Sequence, residues 1–279
     1  MDLTDKQNLQ LLLKKQGLRP QKRFGQNFLI DGGLPQKLVA TAQIGAQDTV
    51  LEIGPGIGAI TQALAQKAKQ VVAIEKDREM VNILRDTLDG FKNVKVIQGD
   101  VLRIPFSELQ LPASYQVVGN LPFYLTAPVI RMFLEVFEVR PRTMTLVVQK
   151  EVAQRICAKP PKMSILANSV QFYAEPEIIS YISKNSFWPQ PEVDAAIIKI
   201  IPRPTPAGDS KLFFEVVKTG FSHPRKQLLN NLAQGLKKSK EDVAAWLQKN
   251  NISPLQRAEA LSINDWLNLV KTLRISSYL

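Results

Sequence analysis

The glycine-rich run over residues 52–58 is the part of this sequence that could most directly hold a ligand. It reads Glu52-Ile-Gly-Pro-Gly-Ile-Gly58, overlaps the end of an apolar run over 49–54, and precedes a helical pattern over 59–69. Glycines let the backbone turn tightly and approach a ligand closely, and the helix that follows offers free N–H groups. The spacing G-x-G-x-G differs from the G-x-G-x-x-G of nicotinamide-binding turns. The sequence therefore predicts a ligand-binding turn of another kind.

Two carboxylates follow the next two predicted strands. Glu75 ends an apolar run over 70–75, at a position where folds of this type hold a ribose through its hydroxyls. Asp100 follows a run over 94–97, and an acid there can accept from the amine of an adenine. The glycine spacing, with Glu52 ahead of it, resembles the S-adenosylmethionine turn of class I methyltransferases. Each motif alone fits a structural turn, but together they predict one adenosine-shaped site.

The run Asn120-Leu-Pro-Phe123 carries groups suited to an aromatic amine. Such a nitrogen is a poor nucleophile because its lone pair is delocalised into the ring. Two acceptors on its N–H groups, the Asn120 side-chain oxygen and the Leu121 carbonyl, would favour a more pyramidal nitrogen. Pro122 biases Leu121 toward an extended backbone that aims this carbonyl outward. Phe123 offers a stacking face for a base.

The elements that must position these residues alternate between strand and helix. Strand patterns occur at 49–54, 70–75, 94–97, 115–118 and 143–148, and helical patterns at 59–69, 81–88 and 128–138. This order predicts an α/β fold with a mainly parallel, doubly wound sheet. Two further runs, 178–187 and 194–201, are joined by only six residues, so they predict an antiparallel hairpin. This sheet, closed by a hairpin, fits the class I, Rossmann-like methyltransferases better than the dehydrogenases.

A proline-rich stretch over 202–209 marks a domain boundary. We expect a catalytic domain with a basic N-terminal arm over 1–205 and a small all-α RNA-binding domain over 206–279. The helical region contains two capping-box patterns, Ser239-Lys-Glu-Asp242 and Ser262-Ile-Asn-Asp265.

Composition excludes several classes of site. The chain has one cysteine, Cys157, and one histidine, His223, so it can form neither an internal disulfide nor a two-histidine metal site.

No stretch approaches the ~18 consecutive apolar residues of a membrane helix. The start at Met1 carries no targeting pattern, which suggests the cytoplasm. A monomer is the default expectation.

The net charge of +11 is uneven along the chain and favours a polyanionic partner. Residues 1–31 hold six Lys and Arg against three acids, and residues 203–240 hold eight against two. This clustering favours nucleic-acid binding over a surface that is merely solvated. The phosphate-contact candidates are Lys22, Arg23, Arg225, Lys226, Lys237 and Lys238. They predict RNA binding that weakens steeply with salt.

Several motifs together resemble one family, the small-subunit ribosomal RNA adenine N6,N6-dimethyltransferases, also called the kasugamycin-sensitivity methyltransferases. The motifs lie at 23–29, 52–58, 120–123, 149–153, 187–194, 221–232 and 257–261. The resemblance implies dimethylation of two adjacent adenines in a hairpin loop near the 3′ end of small-subunit rRNA, late in assembly. It also implies S-adenosylmethionine as cofactor, no metal, and the small ribosomal subunit as partner.

The same resemblance implies roles for individual residues. Asn27 and Leu29 would contact the cofactor, and Gly54 would line its methionine end. Glu75 would hold its ribose and Asp100 its adenine. Asn120 would serve both cofactor and target base, Phe123 would stack on the flipped adenine, and Phe187 would form a second aromatic wall.

The sequence departs from the family pattern in two places. Phe123 stands where the family usually has a tyrosine, so stacking survives without a hydroxyl contact. Pro224 replaces a basic residue, which puts one RNA contact in doubt, whereas Arg225 and Lys226 remain.

Two other functions stay open at this point. The related large-subunit rRNA adenine methyltransferases of macrolide resistance share the central motifs, although the motifs at 221–232 and 257–261 favour the small-subunit enzymes. A non-catalytic RNA-binding assembly or transcription factor on the same fold is the other alternative. The motif at 120–123, with Glu75 and Asp100, argues against such a factor, which need not retain them.

Overall fold

The computed structural model describes residues 1–21, 25–204 and 208–276 of the 279-residue chain. The chain divides into two compact units. The first unit comprises Met1–Ala153 and Glu177–Pro202, and the second comprises Gln154–Pro176 and Arg203–Leu279.

Seven strands form one sheet, and two short strands form a separate pair. The strands are β1 (Phe28–Leu29), β2 (Thr49–Ile53), β3 (Gln70–Glu75), β4 (Val94–Gln98), β5 (Gln116–Asn120), β6 (Thr143–Gln149), β7 (Ala174–Ile182), β8 (Phe187–Trp188) and β9 (Ala195–Pro202). The sheet order is β4-β3-β2-β5-β6-β9-β7. The first five strands in this order, β4, β3, β2, β5 and β6, pair in parallel with their neighbours. The strand β9 pairs antiparallel with β6. The expected mainly parallel sheet with antiparallel strands at its end is confirmed.

The helices connect these strands and form most of the second unit. They are α1 (Lys6–Lys15), α2 (Gly33–Ala42), α3 (Ala59–Ala65), α4 (Arg78–Thr87), α5 (Thr126–Arg131), α6 (Lys150–Ile156), α7 (Ile165–Tyr173), α8 (Ser210–Gly220), α9 (Leu228–Leu236), α10 (Lys240–Lys249) and α11 (Ile263–Ser276). In the described part of the chain, no helix is long and apolar enough to cross a membrane.

Both predicted capping boxes begin a helix. The Ser239 hydroxyl oxygen accepts from the Asp242 N–H at 3.0 Å at the start of α10. Ahead of α11, the Ser262 N–H donates to the Asp265 carboxylate at 2.8 Å, and the Asp265 N–H donates back to the Ser262 hydroxyl oxygen at 3.2 Å. These bonds satisfy N–H groups that have no partner within the helix.

The core of the first unit lies between the sheet and the helices that cover it. All five residues of β2 are buried, as expected for a parallel strand covered on both faces. Val50 packs in one apolar cluster with Leu38 of α2 and Leu64 of α3. Burying each such side chain contributes about 1.5–3 kcal/mol. This packing fixes β2, and with it the glycine turn that follows.

The second unit has its own aromatic core. The ring centroids of Phe172 and Phe213 lie 4.4 Å apart, and those of Phe221 and Trp266 lie 5.9 Å apart. The Met163 N–H also donates to the Glu259 carbonyl at 3.0 Å. These contacts explain why 154–176 clusters with the C-terminal helices, which differs from the expected division. The expected boundary at 205/206 lies outside the described residues.

Two predicted elements differ from those observed. The expected strand over 178–187 runs instead from Ala174 to Ile182, because a turn at Lys184–Ser186 ends it. Phe187 then pairs with Leu29 in the separate two-stranded sheet. The helix expected over 128–138 begins at Thr126, and its last part, Met132–Val136, winds as a π-helix.

Candidate active site

A cavity lies at the carboxyl ends of β2, β3 and β5, within the first unit. Its walls come from the N-terminal segment over residues 25–29, from the glycine turn, and from the ends of β3 and β5. They contribute Gly25, Gln26, Asn27, Phe28, Leu29, Gly54, Pro55, Gly56, Ile57, Ala59, Ile60, Glu75, Asn120 and Pro122. This main cavity therefore brings together five of the six residues expected to bind the cofactor. The sixth, Asp100, is not part of its lining.

The glycine turn adopts a backbone that other residues rarely allow. The φ angles of Gly54, Gly56 and Gly58 are 69°, 58° and 96°. A Cβ atom on Gly56 would also lie 3.3 Å from the Phe28 ring. The Gly56 N–H donates to the Glu75 carboxylate at 3.1 Å, so the turn is tied to the end of β3. Because the glycines have no side chains, a ligand can approach the backbone of this turn closely.

Glu75 is buried at the cavity with its carboxylate held by the backbone. One oxygen accepts from Gly56, and the other accepts from the Asp77 N–H at 2.8 Å. Burial raises the pKa of Glu75, and these two N–H groups oppose part of that rise. A carboxylate has about four acceptor positions. Glu75 therefore keeps acceptor capacity for hydroxyl groups of a ligand.

Asp100 is engaged by neighbouring protein groups. Its carboxylate accepts from the Lys76 ammonium at 3.0 Å and from the Leu102 N–H at 3.1 Å. Partial burial raises the pKa of Asp100, but the bonds from Lys76 and Leu102 outweigh burial and hold this pKa below its usual value. Asp100 is thus a fixed, ionised acceptor just after the end of β4, and its contact with a ligand stays a prediction.

Asn120 ends β5 and is anchored across the cavity. Its side-chain Nδ2 donates to the Asn27 carbonyl at 3.0 Å. The preceding Gly119 permits close strand packing, because a Cβ there would lie 2.8 Å from the Ile53 carbonyl oxygen. The Leu121 N–H donates to the Val147 carbonyl at 3.2 Å, which ties this part of the run to β6. The Asn120 amide oxygen has no hydrogen-bond donor among the described residues.

A second, smaller pocket adjoins the main cavity. Its lining includes Asn120, Leu121, Phe123 and Phe187, and it shares Gly25, Asn27 and Asn120 with the main cavity. Phe187 is buried, and Phe123 is half-buried. Four of the five residues expected to be catalytic therefore line this adjoining pocket, and the fifth, Pro122, lines the main cavity.

The pairing of β1 with β8 was not predicted. Phe28 lies opposite Trp188 and Leu29 opposite Phe187, and the Ile30 N–H donates to the Ser186 carbonyl at 2.9 Å. This pair places the N-terminal segment against the adjoining pocket. The one available signal was that the motifs at 23–29 and 187–194 both carry aromatic residues. Gly25, Gln26, Phe28 and Pro191 also line these spaces and were not singled out from the sequence.

The basic candidates of the second unit form two separate pairs. Arg225 and Lys226 precede α9, Lys237 and Lys238 follow it, and all four are exposed. The nine residues of α9 separate the pairs by about 13 Å. Lys22 and Arg23 lie outside the described residues. Within the described ranges, no group of three or more His, Cys, Asp or Glu residues is arranged to hold a metal ion.

Comparisons with known proteins agree on one family. A profile of the family described as ribosomal RNA adenine dimethylase matches residues 17–274. The ribosomal RNA small subunit methyltransferase A of Dehalococcoides mccartyi is 42% identical over 256 residues, which cover 90% of this chain and 88% of that protein.

Two solved structures resemble most of the chain. A dimethyladenosine transferase from Plasmodium falciparum matches with a TM-score of 0.76 and 25% identity, over 90% of this chain and 98% of that one. The 23S rRNA methyltransferase ErmE matches with a TM-score of 0.75 and 26% identity, over 89% of this chain and 100% of that one. With the family profile and the close relative, these likenesses confirm the expected resemblance, and the chain belongs to the ribosomal RNA adenine dimethylase family.

Proposed function

We propose that this protein uses S-adenosylmethionine to dimethylate N6 of two adjacent adenines in a hairpin loop near the 3′ end of small-subunit rRNA. The observation that carries the proposal is the position of Asn120, which lines both the main cavity and the adjoining pocket. Its amide is fixed at this boundary by the Asn27 carbonyl. It can therefore face a methyl donor on one side and an amine on the other.

The residues of the main cavity fit S-adenosylmethionine. Glu75 would accept from the ribose hydroxyls, with its carboxylate already oriented by Gly56 and Asp77. Asn27 and Leu29 would contact the cofactor, and the turn at Gly54 would line its methionine end. Asp100, which follows β4 and is not part of the cavity lining, would accept from the adenine amine. When bound, this cofactor supplies an electrophilic methyl group.

The adjoining pocket fits an unpaired adenine. In the first transfer the Asn120 amide oxygen and the Leu121 carbonyl would accept hydrogen bonds from the two N–H groups of N6, which frees the nitrogen lone pair for attack. The monomethylated amine keeps one N–H for the second transfer. Phe123 would stack on the base, a contact worth about 1–3 kcal/mol in comparable sites, and Phe187 would close the other side. No general base is required, because the proton can leave after the amine has become cationic.

The exposed basic pairs that flank α9 would contact RNA phosphates, together with Lys22 and Arg23. A base cannot reach such a pocket from inside a duplex, so the target must be unpaired or flipped out. Adenines in a hairpin loop are unpaired, so little free energy is needed to turn them out of the RNA. The name of the Dehalococcoides relative supports the small subunit as the partner. We further propose a cytoplasmic monomer that needs no metal.

A large-subunit substrate is the second candidate, supported by the likeness to ErmE. Identity to the small-subunit relative is higher, at 42% against 26%. The two candidates separate in one experiment. Labelled methyl groups are supplied with S-adenosylmethionine to unmethylated small subunits and, in parallel, to protein-free large-subunit RNA. We expect N6,N6-dimethyladenosine only from the small subunits. Methylation of only the large-subunit RNA would reverse the assignment, and tight subunit binding without transfer would favour a non-catalytic assembly factor.

A further inference from the structure

A wide side groove borders the main cavity within the first unit. It is lined by one face of α1, by residues 17–20 and by the segment over 188–192, and it shares the lining residues Gly25, Gln26 and Asn27 with the main cavity. The groove encloses about 950 Å³, at the upper end of the roughly 300–1,000 Å³ of small-molecule sites. The chemistry proposed for the main cavity and the adjoining pocket leaves this space without a role.

The side groove also borders the adjoining pocket. Gly25, Asn27 and Pro191 line both spaces. A base held in the adjoining pocket therefore has the side groove next to it. Because consecutive nucleotides are joined by a single backbone link, the neighbour of that base must lie close to the same pocket. The side groove is the space that the described residues offer to this neighbour.

The strand β8 supplies one aromatic ring to each of the two spaces. Phe187 lines the adjoining pocket and belongs to the apolar cluster that contains Leu29. Trp188 lines the side groove and packs against a different cluster, which contains Leu13 and Phe28. Successive side chains of a strand point to opposite faces. Two consecutive residues thus present two rings to two adjacent spaces, an arrangement that matches two consecutive bases.

The indole of Trp188 is suited to stacking. It is half-buried, and its backbone is paired with Phe28 of β1. Pro189 and Pro191 restrict the backbone that follows. A ring held in this way is already in place before a base arrives. Stacking on an aromatic side chain tolerates every base, since each base has a π-face.

The polar residues of the side groove fit a nucleotide. Lys14 and Arg19 are exposed, and neither has an ion-pair partner among the described residues. Among the described lining residues they face one acid, Glu192, so the local charge favours an RNA phosphate. The Gln190 side-chain nitrogen donates to the Asn185 side-chain oxygen at 2.8 Å. The amide oxygen of Gln190 then remains as an acceptor for the edge of a base.

We propose that the side groove is a subsite for a second nucleotide of the RNA, the neighbour of the adenine in the adjoining pocket. The base of this neighbour stacks on Trp188, and its phosphate lies near Lys14 and Arg19. Stacking needs no N6 hydrogen, so the groove accepts an adenine both before and after dimethylation. One adenine of the pair is therefore held beside the active site while the other reacts. This inference rests on the proposed function.

A fluorescent purine tests the stacking directly. Small subunits are assembled on rRNA whose synthetic 3′ segment carries 2-aminopurine in place of one of the two adenines, each position in a separate preparation. This purine stacks as adenine does but lacks the N6 amine, so it cannot react there. At one of the two positions it should be quenched in the wild-type complex and several-fold brighter with Trp188→Ala. Trp188→Phe keeps a stacking ring and should restore most of the quenching.

Steady-state methyl transfer to unsubstituted small subunits gives a second readout. Trp188→Ala should raise the KM for subunits about tenfold, within the range that stacking of one base contributes. Its affinity for S-adenosylmethionine should be unchanged, because Trp188 does not line the main cavity. Tyr181→Ala, at an exposed aromatic residue of β7, is the matched control and should behave like the wild type.

The outcomes separate this inference from the proposed function. Equal brightness of the wild-type and Trp188→Ala complexes at both positions, or an unchanged KM for subunits, would overturn the subsite and leave the proposed function intact. Weakened cofactor binding by Trp188→Ala would assign Trp188 a structural role and would also overturn the subsite. Failure of the wild type to methylate unsubstituted subunits would overturn both.

Discussion

The side-chain nitrogen of Asn120 donates a hydrogen bond to the backbone carbonyl of Asn27 at 3.0 Å, across 93 residues of sequence. This bond joins the end of β5 to the N-terminal segment at the boundary of the main cavity and the adjoining pocket. It also sets the direction of the amide, because the nitrogen is engaged and the oxygen remains as an acceptor. The two regions therefore cooperate in orienting one functional group.

Removal of the Glu75 carboxylate should weaken cofactor binding. Glu75→Ala deletes an oriented acceptor for two hydroxyls, and hydrogen bonds to charged groups contribute about 1.5–3 kcal/mol each. We expect the dissociation constant of S-adenosylmethionine, measured by calorimetry, to rise about a hundredfold or more. Glu79→Ala, at an exposed acid in the first turn of α4, is the control and should bind normally. Equal affinity of both variants would remove Glu75 from the site.

The buried acid Glu52 should make stability depend on pH. Its pKa is about 8 in the folded protein against 4.5 for an ordinary glutamate, so the folded state binds more protons between these values. The free energy of unfolding should therefore fall as pH rises from about 4.5 to 8, by about 1.4 kcal/mol for each unit of pKa shift.

The Glu52→Gln variant isolates this contribution. Glutamine resembles the protonated acid, so the variant and the wild type should have similar stability near pH 5. At pH 9 the variant should be the more stable protein. Chemical denaturation at both pH values checks this expectation, and parallel pH profiles for the two proteins would show that Glu52 does not titrate in this range.

A methyl group at Gly119 should destabilise the sheet beside the active site. The added Cβ would lie 2.8 Å from the Ile53 carbonyl oxygen, so β2 and β5 would have to separate. Overpacking of this kind costs about 1–3 kcal/mol, which we expect as a lowered melting temperature for Gly119→Ala. Gly90→Ala is the control, because no described atom lies within 4 Å of a Cβ there. Equal melting temperatures would contradict the close packing.

Neutralising Arg225 and Lys226 should reduce the salt dependence of RNA binding. Each lost phosphate contact lowers the slope of log affinity against log salt by about 0.7–0.9, so the double alanine variant should lose about 1.5 from the slope. Lys67 and Lys69 are also exposed, but they lie just before the amino end of β3. The cavity lies at the carboxyl ends of the strands. Their double alanine variant should keep the wild-type slope. A slope that does not change with Arg225 and Lys226 would exclude them as phosphate contacts.

Much of the fold and of the main cavity followed from the sequence because both depend on local pattern. Buried strand runs have a recognisable length, and the ends of parallel strands meet at one edge. Gly54, Glu75 and Asn120 each lie at or just after the end of such a run, so their convergence was predictable. The family resemblance added Asn27 and Leu29, which follow no strand periodicity of their own.

The remaining features depend on contacts between distant segments. The strands β1 and β8 have two residues each, too few for periodicity to reveal them or their pairing. The ion pair of Asp100 with Lys76 joins side chains of two different strand ends. The sequence around Phe172 predicts an ordinary helix, whereas its packing on Phe213 and the Met163–Glu259 hydrogen bond join 154–176 to the second unit.

The most direct test is methyl transfer by Asn120→Ala. Wild-type protein and variant are incubated with labelled S-adenosylmethionine and unmethylated small subunits, and the digested nucleosides are separated. We expect N6,N6-dimethyladenosine from the wild type and a rate about 10²–10³-fold lower from the variant, the loss typical of removing one oriented polar group from an active site. Binding of the small subunit, measured alongside, should be largely retained. Dimethyladenosine formed at the wild-type rate by Asn120→Ala would contradict the assignment of this amide to the reacting amine.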